Sequence, residues 1–329
     1  MKLSKILTRL GLFALLLVLV VPFLIPVEST GSRTYKEVAG ETATFVKALG
    51  IDIYYEKTDF ICSENSNCSN PPVIFLLHGF GANTFSFREV RSELSELGDV
   101  IAYDRPGFGL TERPISWDGE NPYGSIGNDL ILDELIATFA QNRDVILVGH
   151  SAGGTLAAQY AIDNEEAVKG LILISPAILT AGGGPSWLTW IYSIPQLDRL
   201  GPLLVSSIAT SGMDLLNRSW YEPSLISDEI IAGYRKPLDV IGWERGFWEF
   251  NRAPRNFDVR DRLDEITVPT LLITGDSDTV VETADTVELA SLIKNSVLFV
   301  VPKSGHLAQE ETPEETLKAI RVTWGILTK

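Results

Sequence analysis

The sequence predicts an α/β architecture: a mostly parallel central sheet flanked by helices, with a helical lid insertion. Three observations predict it. Short, continuously apolar runs alternate with amphipathic stretches along most of the chain, the alternation fails once between Pro176 and about Asn256, and small polar motifs stand directly after several of the apolar runs. Strands covered on both faces have no solvent side and so read as unbroken apolar runs. Strand and helix in alternation mean a parallel sheet wrapped by helices.

In chain order, residues 1–30 form the first element. Lys2, Lys5 and Arg9 precede an uncharged apolar run of 18 residues from Leu10 to Val27. That length reaches the lower limit for spanning a bilayer, whereas the apolar region of a cleavable signal is shorter, about 7–15 residues. The run therefore favours an uncleaved membrane anchor. Pro22 and Pro26 interrupt or end a helix, and Val27 and Ser29 make a weak small-residue cleavage pattern before Thr30, which keeps a secreted, cleaved form as the alternative. A packed soluble helix ranks third, because Leu10–Val21 has no polar face. Under either export reading the basic flank places the body outside the cytoplasm.

Cys62 and Cys68, the only cysteines, lie six positions apart in a polar stretch. In an oxidising compartment such a pair is expected to bridge. No histidine lies near them, which argues against zinc. Asn67-Cys68-Ser69 and Asn217-Arg218-Ser219 fit the glycosylation triplet, which matters only in a secretory host.

Strand-like runs occupy Ile51–Glu56, Val73–Leu77, Val100–Tyr103, Val145–Val148, Leu171–Ile174, Thr270–Thr274 and Val297–Val301. Helical periodicity covers Phe87–Leu97, Ser125–Ala140, Ala152–Asp163, Thr283–Ile293 and Pro313–Ile326. The core is thus expected from 31–175 and 257–329. Between them, 176–256 holds Trp187, Trp190, Trp220, Trp243 and Trp248, five of the seven tryptophans, as expected of a lid projecting from the carboxyl edge of the sheet with an apolar chamber beneath it.

Composition bounds the function. Hydrophobic residues at 45% and charged residues at 21% are globular values. A net charge of −16 without a basic stripe excludes nucleic acid as a natural partner. Ligand spacing suggests no metal anywhere, and no organic cofactor is called for. The oligomeric state is not legible.

Ligands of parallel sheets bind beyond the carboxyl ends of the strands, so the residues just after each run carry the chemistry. Gly149-His150-Ser151-Ala152-Gly153 follows Val145–Val148 and opens a helix. Serine is a weak nucleophile that gains from presentation on a tight, strained turn, where flanking glycines remove colliding Cβ atoms. His78-Gly79-Phe80-Gly81 follows Val73–Leu77. An acyl-transfer oxyanion needs two aimed N–H donors, which the backbone of Phe80 and Ala152 would supply. The Phe80 side chain then lines a pocket, and His78 reads as a hydrogen-bonding structural residue. Of three histidines, His306 in Lys303-Ser304-Gly305-His306 stands after the last run, where a general base belongs. The acid is Asp276 or Asp278 in Gly275-Asp276-Ser277-Asp278, and the order serine, acid, histidine is satisfied by both. Reach beyond the Gly275 turn mildly prefers Asp278.

These motifs resemble the α/β-hydrolase superfamily over Glu41–Leu327, and Asp104-Arg105-Pro106-Gly107-Phe108-Gly109 resembles its turn after the fourth strand. The lidded branch it resembles includes carboxylesterases, lipases, carbon–carbon bond hydrolases, non-haem haloperoxidases, epoxide hydrolases and haloalkane dehalogenases. The last two use an aspartate nucleophile, against which Ser151 speaks. The resemblance adds weight to Asp278 as the acid, since the family's acid commonly stands three residues after such a glycine. It implies a covalent mechanism: His306 takes the Ser151 proton, the serine attacks a carbonyl of a small apolar ester, and water releases the acyl-enzyme. Carbon–carbon bond hydrolysis on the same three residues is the alternative, favoured by a lid cation such as Arg235, Lys236, Arg245 or Arg252. A binding module without catalysis is the second.

Overall fold

The computed structural model describes residues 2–62, 69–180, 189–206 and 208–329. Eight strands form one sheet: β1 (Thr44–Ala48), β2 (Ile51–Thr58), β3 (Val73–Leu77), β4 (Asp99–Tyr103), β5 (Val145–His150), β6 (Gly170–Ile174), β7 (Thr270–Gly275) and β8 (Ser296–Val301). Their order is β1-β2-β4-β3-β5-β6-β7-β8, antiparallel through β1, β2 and β4 and parallel from β4 onward. The central strands β3, β5, β6 and β7 are buried at every position, as their unbroken apolar runs demand.

The helices are α1 (Lys2–Leu24), α2 (Tyr35–Ala39), α3 (Arg88–Leu94), α4 (Ser125–Phe139), α5 (Ala152–Asp163), α6 (Thr189–Tyr192), α7 (Pro195–Ser206), α8 (Ile208–Ser219), α9 (Asp228–Arg235), α10 (Trp243–Arg252), α11 (Thr283–Leu292), α12 (Ala308–Glu311) and α13 (Pro313–Leu327). One face of the sheet, through Phe75, Leu147 and Leu171, packs on Leu132 of α4, Leu156 of α5 and Leu289 of α11. The other, through Leu76, Val148, Ile172 and Leu271, packs on Val90 of α3 and Ile320 of α13. Registers Leu76↔Val148, Val148↔Ile172 and Ile172↔Leu271 line those residues up across four strands. Burying a side chain of this kind stabilises the fold by about 1.5–3 kcal/mol.

The expected segments differ from the observed ones in two informative ways. Strand β1 is absent from the apolar runs because it lies at the sheet edge and is mostly uncovered. It is fixed instead by a two-residue hairpin: Leu49 and Gly50 both have positive φ, 48° and 78°, between the paired residues Ala48 and Ile51, the geometry whose twist matches paired strands. The helix expected over Phe87–Leu97 is shorter, because a 3-10 turn at Thr84–Phe87 precedes α3 and the chain leaves the helix after Leu94.

Helix α1 is longer than the apolar run requires and contains Pro22 in its last turns. Residues Lys5–Leu24 form one span long and apolar enough to cross a membrane, with none of it buried in the protein. Cys68 and Trp187 lie outside the described residues, and with Cys68 goes the Cys62–Cys68 pairing. The segment 176–256, expected as a lid, is the connection from β6 to β7 and contributes α6–α10.

Candidate active site

Strand β5 runs through His150, and α5 begins at Ala152, so Ser151 is the whole of the turn between them. Its φ of 53° and ψ of −120° lie in a conformation that side chains rarely adopt. Four main-chain bonds hold it there: its N–H donates to the Ile174 carbonyl at 2.9 Å, and its carbonyl accepts from Gly154 at 2.9 Å, Thr155 at 3.2 Å and Ala177 at 3.1 Å. Strain of this kind persists only where surrounding structure over-determines it. The glycines make the turn possible. A Cβ at Gly149 would stand 2.5 Å from the Gly153 carbonyl, and one at Gly153 would stand 2.1 Å from that of Leu77.

The loop after β3 also comes near. A Cβ on Gly79 would meet that of Ser151 at 3.1 Å, which brings the backbone leading into Phe80 against the serine. The Ala152 N–H is the first of α5 and has no partner within the helix. The Phe80 ring projects into the cavity and packs edge-on against Phe247, with centroids 5.2 Å apart.

His306 and Asp278 meet at the ends of β8 and β7. The Nδ1 of His306 lies 2.8 Å from Oδ2 of Asp278, both buried. A carboxylate can only accept, so Nδ1 carries the proton and Nε2 is left as the basic nitrogen. Asp278 Oδ1 accepts from the amides of Val280 at 2.9 Å and Val281 at 3.0 Å. Burial pushes the Asp278 carboxyl up, but the His306 bond and the amides outweigh it and hold the group below the ordinary carboxylate range. Asp276 takes another course. Its Oδ1 accepts from the Lys303 amide at 3.0 Å and the Ser277 hydroxyl at 2.8 Å, bracing the two loops against each other.

The other histidines are structural in their contacts. His78 is fully buried, bonds the Gly79 carbonyl through Nδ1 at 2.8 Å, and accepts the Arg105 amide on Nε2 at 3.0 Å. Desolvation drives its pKa well below the usual histidine value. His150 bonds the main-chain oxygen of His306 through Nε2 at 3.0 Å, and burial lowers its pKa to about 3.

Ser151 and His306 share the wall of a cavity of about 330 Å³. The β6–β7 connection supplies much of the rest, through Met213 and Leu216 of α8, Tyr234 of α9, and Trp243 and Phe247 of α10. Of the tryptophans expected to enclose it, Trp243 does. Trp248 instead joins α10 to α6 and α7, packing on Tyr192 at 5.3 Å and donating to Asp198 at 3.0 Å, while Trp220 packs with Leu216, Ile230 and Leu307. Among the cations of the β6–β7 connection, Arg235 lines the cavity; Arg245 and Arg252 pair with Asp198 and Glu249. Arg113, from the loop after β4, also lines it.

Sequence reasoning missed the clasp between the connection and the core. Buried Glu310 of α12 accepts from the Tyr234 hydroxyl and pairs with Arg88 at 2.5 Å. These residues are separated by 76 and 222 positions, and no local pattern marks them. Among the described residues, no group of three or more His, Cys, Asp or Glu is placed to hold a metal ion.

Residues 74–319 match the description "Alpha/beta hydrolase family". The chain is 28% identical to a proline iminopeptidase of Heyndrickxia coagulans over 85% of this chain and 97% of that protein. It is 25% identical to the mouse (Mus musculus) monoacylglycerol lipase ABHD6 over 83% of this chain and 82% of that protein. Its fold is similar to that of a thermophilic esterase from Thermogutta terrifontis, with a TM-score of 0.67 at 21% identity, covering 88% of this chain and 100% of that one.

Proposed function

Since this chain belongs to the alpha/beta hydrolase family, we propose that it hydrolyses carboxylic esters with small or medium apolar acyl groups through an acyl-enzyme on Ser151. His306 is the general base, Asp278 orients it, and the amides of Phe80 and Ala152 receive the oxyanion. Residues 176–256 act as the lid, and α1 anchors the body on the outer side of a membrane. The observation that carries this reading is the buried Asp278–His306 bond ending in the same apolar cavity wall as the strained Ser151. Nδ1 donates to Asp278, so Nε2 takes the serine proton, and the Asp278 charge stabilises the imidazolium that results.

The relatives carry lipase and iminopeptidase names. An iminopeptidase must pair a substrate ammonium, and among the described residues the cavity lining holds no aspartate or glutamate. The lining does hold Arg113 and Arg235. These cations favour a second reading, carbon–carbon bond hydrolysis of an acidic diketone or dienoate on the same three residues. Profiling the purified protein on p-nitrophenyl esters of rising chain length, beside a prolyl anilide and a dienoic keto acid, separates the three. Turnover of the esters alone supports the proposal, and turnover of the anilide or keto acid alone overturns it.

A further inference from the structure

Directly after α1 the chain lays a short strap across the lid. Ser29 Oγ donates to Glu244 Oε2 at 2.7 Å, and the amide and hydroxyl of Thr30 donate to Oε1 at 2.7 and 2.6 Å. Glu244 is buried, and among the described residues no cation pairs with it; these three donors come from 214 to 215 positions away. Its place in the first turn of α10 suits a negative charge. The strap also binds the neighbouring backbone. Ser29 Oγ accepts from Gly242 at 2.8 Å, Thr30 Oγ1 accepts from the Trp243 indole at 2.9 Å, and Arg33 exchanges main-chain bonds with Asp239 and Ile241. Gly31 is required, since a Cβ there would stand 2.2 Å from the Val240 carbonyl.

The segment so gripped forms part of the cavity wall: Pro237, Leu238, Trp243 and Phe247 face the space before Ser151. We propose that Glu244 is a positioning residue through which Ser29 and Thr30 fix this wall, and that the strap sets the acyl-chain length the cavity takes. The inference rests on the ester-hydrolase reading for its substrate. It assigns to the segment behind α1 a part in specificity that neither the Ser151 turn nor the Asp278–His306 pair provides.

The test uses the full-length chain in detergent micelles, with active sites counted by a fluorophosphonate. Glu244→Gln and Gly31→Ala are compared with wild type on p-nitrophenyl acetate and p-nitrophenyl decanoate. Both variants are expected to raise KM for the decanoate by about five-fold, the worth of roughly one hydrogen bond, while kcat on acetate stays within about two-fold. An unchanged decanoate-to-acetate ratio with a lowered melting temperature makes the strap structural only and overturns the proposal. Gly31→Ala alters neither Glu244 nor any cavity residue chemically, so it decides the matter if Glu244→Gln does not fold. Binding of dansyl-undecanoic acid gives a readout independent of hydrolysis. If wild type turns over no ester, the ester reading fails by itself, and a Kd unchanged in Gly31→Ala then overturns the strap, whereas a Kd weakened about five-fold upholds it.

Discussion

The Nε2 of His150 stands 3.0 Å from the main-chain oxygen of His306, and the two rings pack with centroids 4.7 Å apart. A carbonyl only accepts, so His150 donates, and its lowered pKa of about 3 keeps it neutral in that role. The residue before Ser151 thus holds the loop that carries His306. His150→Phe keeps a ring but loses the donor. It should lower kcat/KM by about ten-fold, one hydrogen bond's worth of positioning, with little change in melting temperature. Unchanged kcat/KM would show that the bond does not position His306.

Ser151→Ala should reduce turnover by on the order of 10⁶ and abolish fluorophosphonate labelling. The circular dichroism spectrum should stay native, because the side chain faces a cavity. A wild-type protein that never labels would end the serine mechanism.

Asp278→Asn should cost up to roughly 10⁴ in turnover, since His306 loses the partner that fixes its tautomer and balances its charge. Asp276→Asn should cost far less, because its bonds run to Lys303 and Ser277. Steady-state kinetics of the pair checks the assignment, and the reverse order of damage refutes it.

His78 and His150 are both held neutral by burial, so each binds a proton only on unfolding once the pH falls below the ordinary histidine value. Fewer protons are bound folded than unfolded, and for His150 this stability is lost as pH falls from about 6.5 toward about 3. Asp104, pushed up to about 6 by burial, and Asp129, pushed up to about 7, act with the opposite sign. The informative quantity is therefore a difference. Urea unfolding between pH 6.5 and 4 should fall less steeply in His150→Gln than in wild type, by about one proton, or about 1.4 kcal/mol per pH unit. Parallel slopes would contradict a neutral His150.

Full-length protein should fractionate with membranes, and removal of residues 1–26 should release it. Removal of residues 1–30 should release a weaker protein, because Glu244 loses the Ser29 and Thr30 donors. Loss of buried partners costs about 1–3 kcal/mol, so its melting temperature should drop by several degrees against the shorter truncation. Equal melting temperatures would show that the strap adds no stability.

The parallel part of the sheet was readable because β3, β5, β6 and β7 are covered on both faces, and burial on both faces leaves only apolar residues. The meeting of His306 with Asp278 follows from the same order, since neighbouring parallel strands deliver their trailing loops to one edge. Strand β1 was not readable, because its place depends on a turn at Leu49-Gly50 without the usual asparagine or aspartate. Tyr234, Glu310 and Glu244 were not readable for another reason. Their partners lie 76 to 222 positions away, and only the folded chain brings them together.

The strap also imposes an order on biosynthesis. Thr30 leaves the ribosome 214 residues before Glu244, so for most of translation its receptor does not exist. At about 5–20 residues per second the delay is on the order of ten seconds or more, so α1 is fully synthesised long before the residues it is to be held beside. The ends of so long a loop meet late, and non-local contacts of this kind are slow to form. The pocket is accordingly among the last parts of the molecule to be completed, and a nascent chain stalled before α10 would present a sheet already assembled in part beside a chamber with no wall.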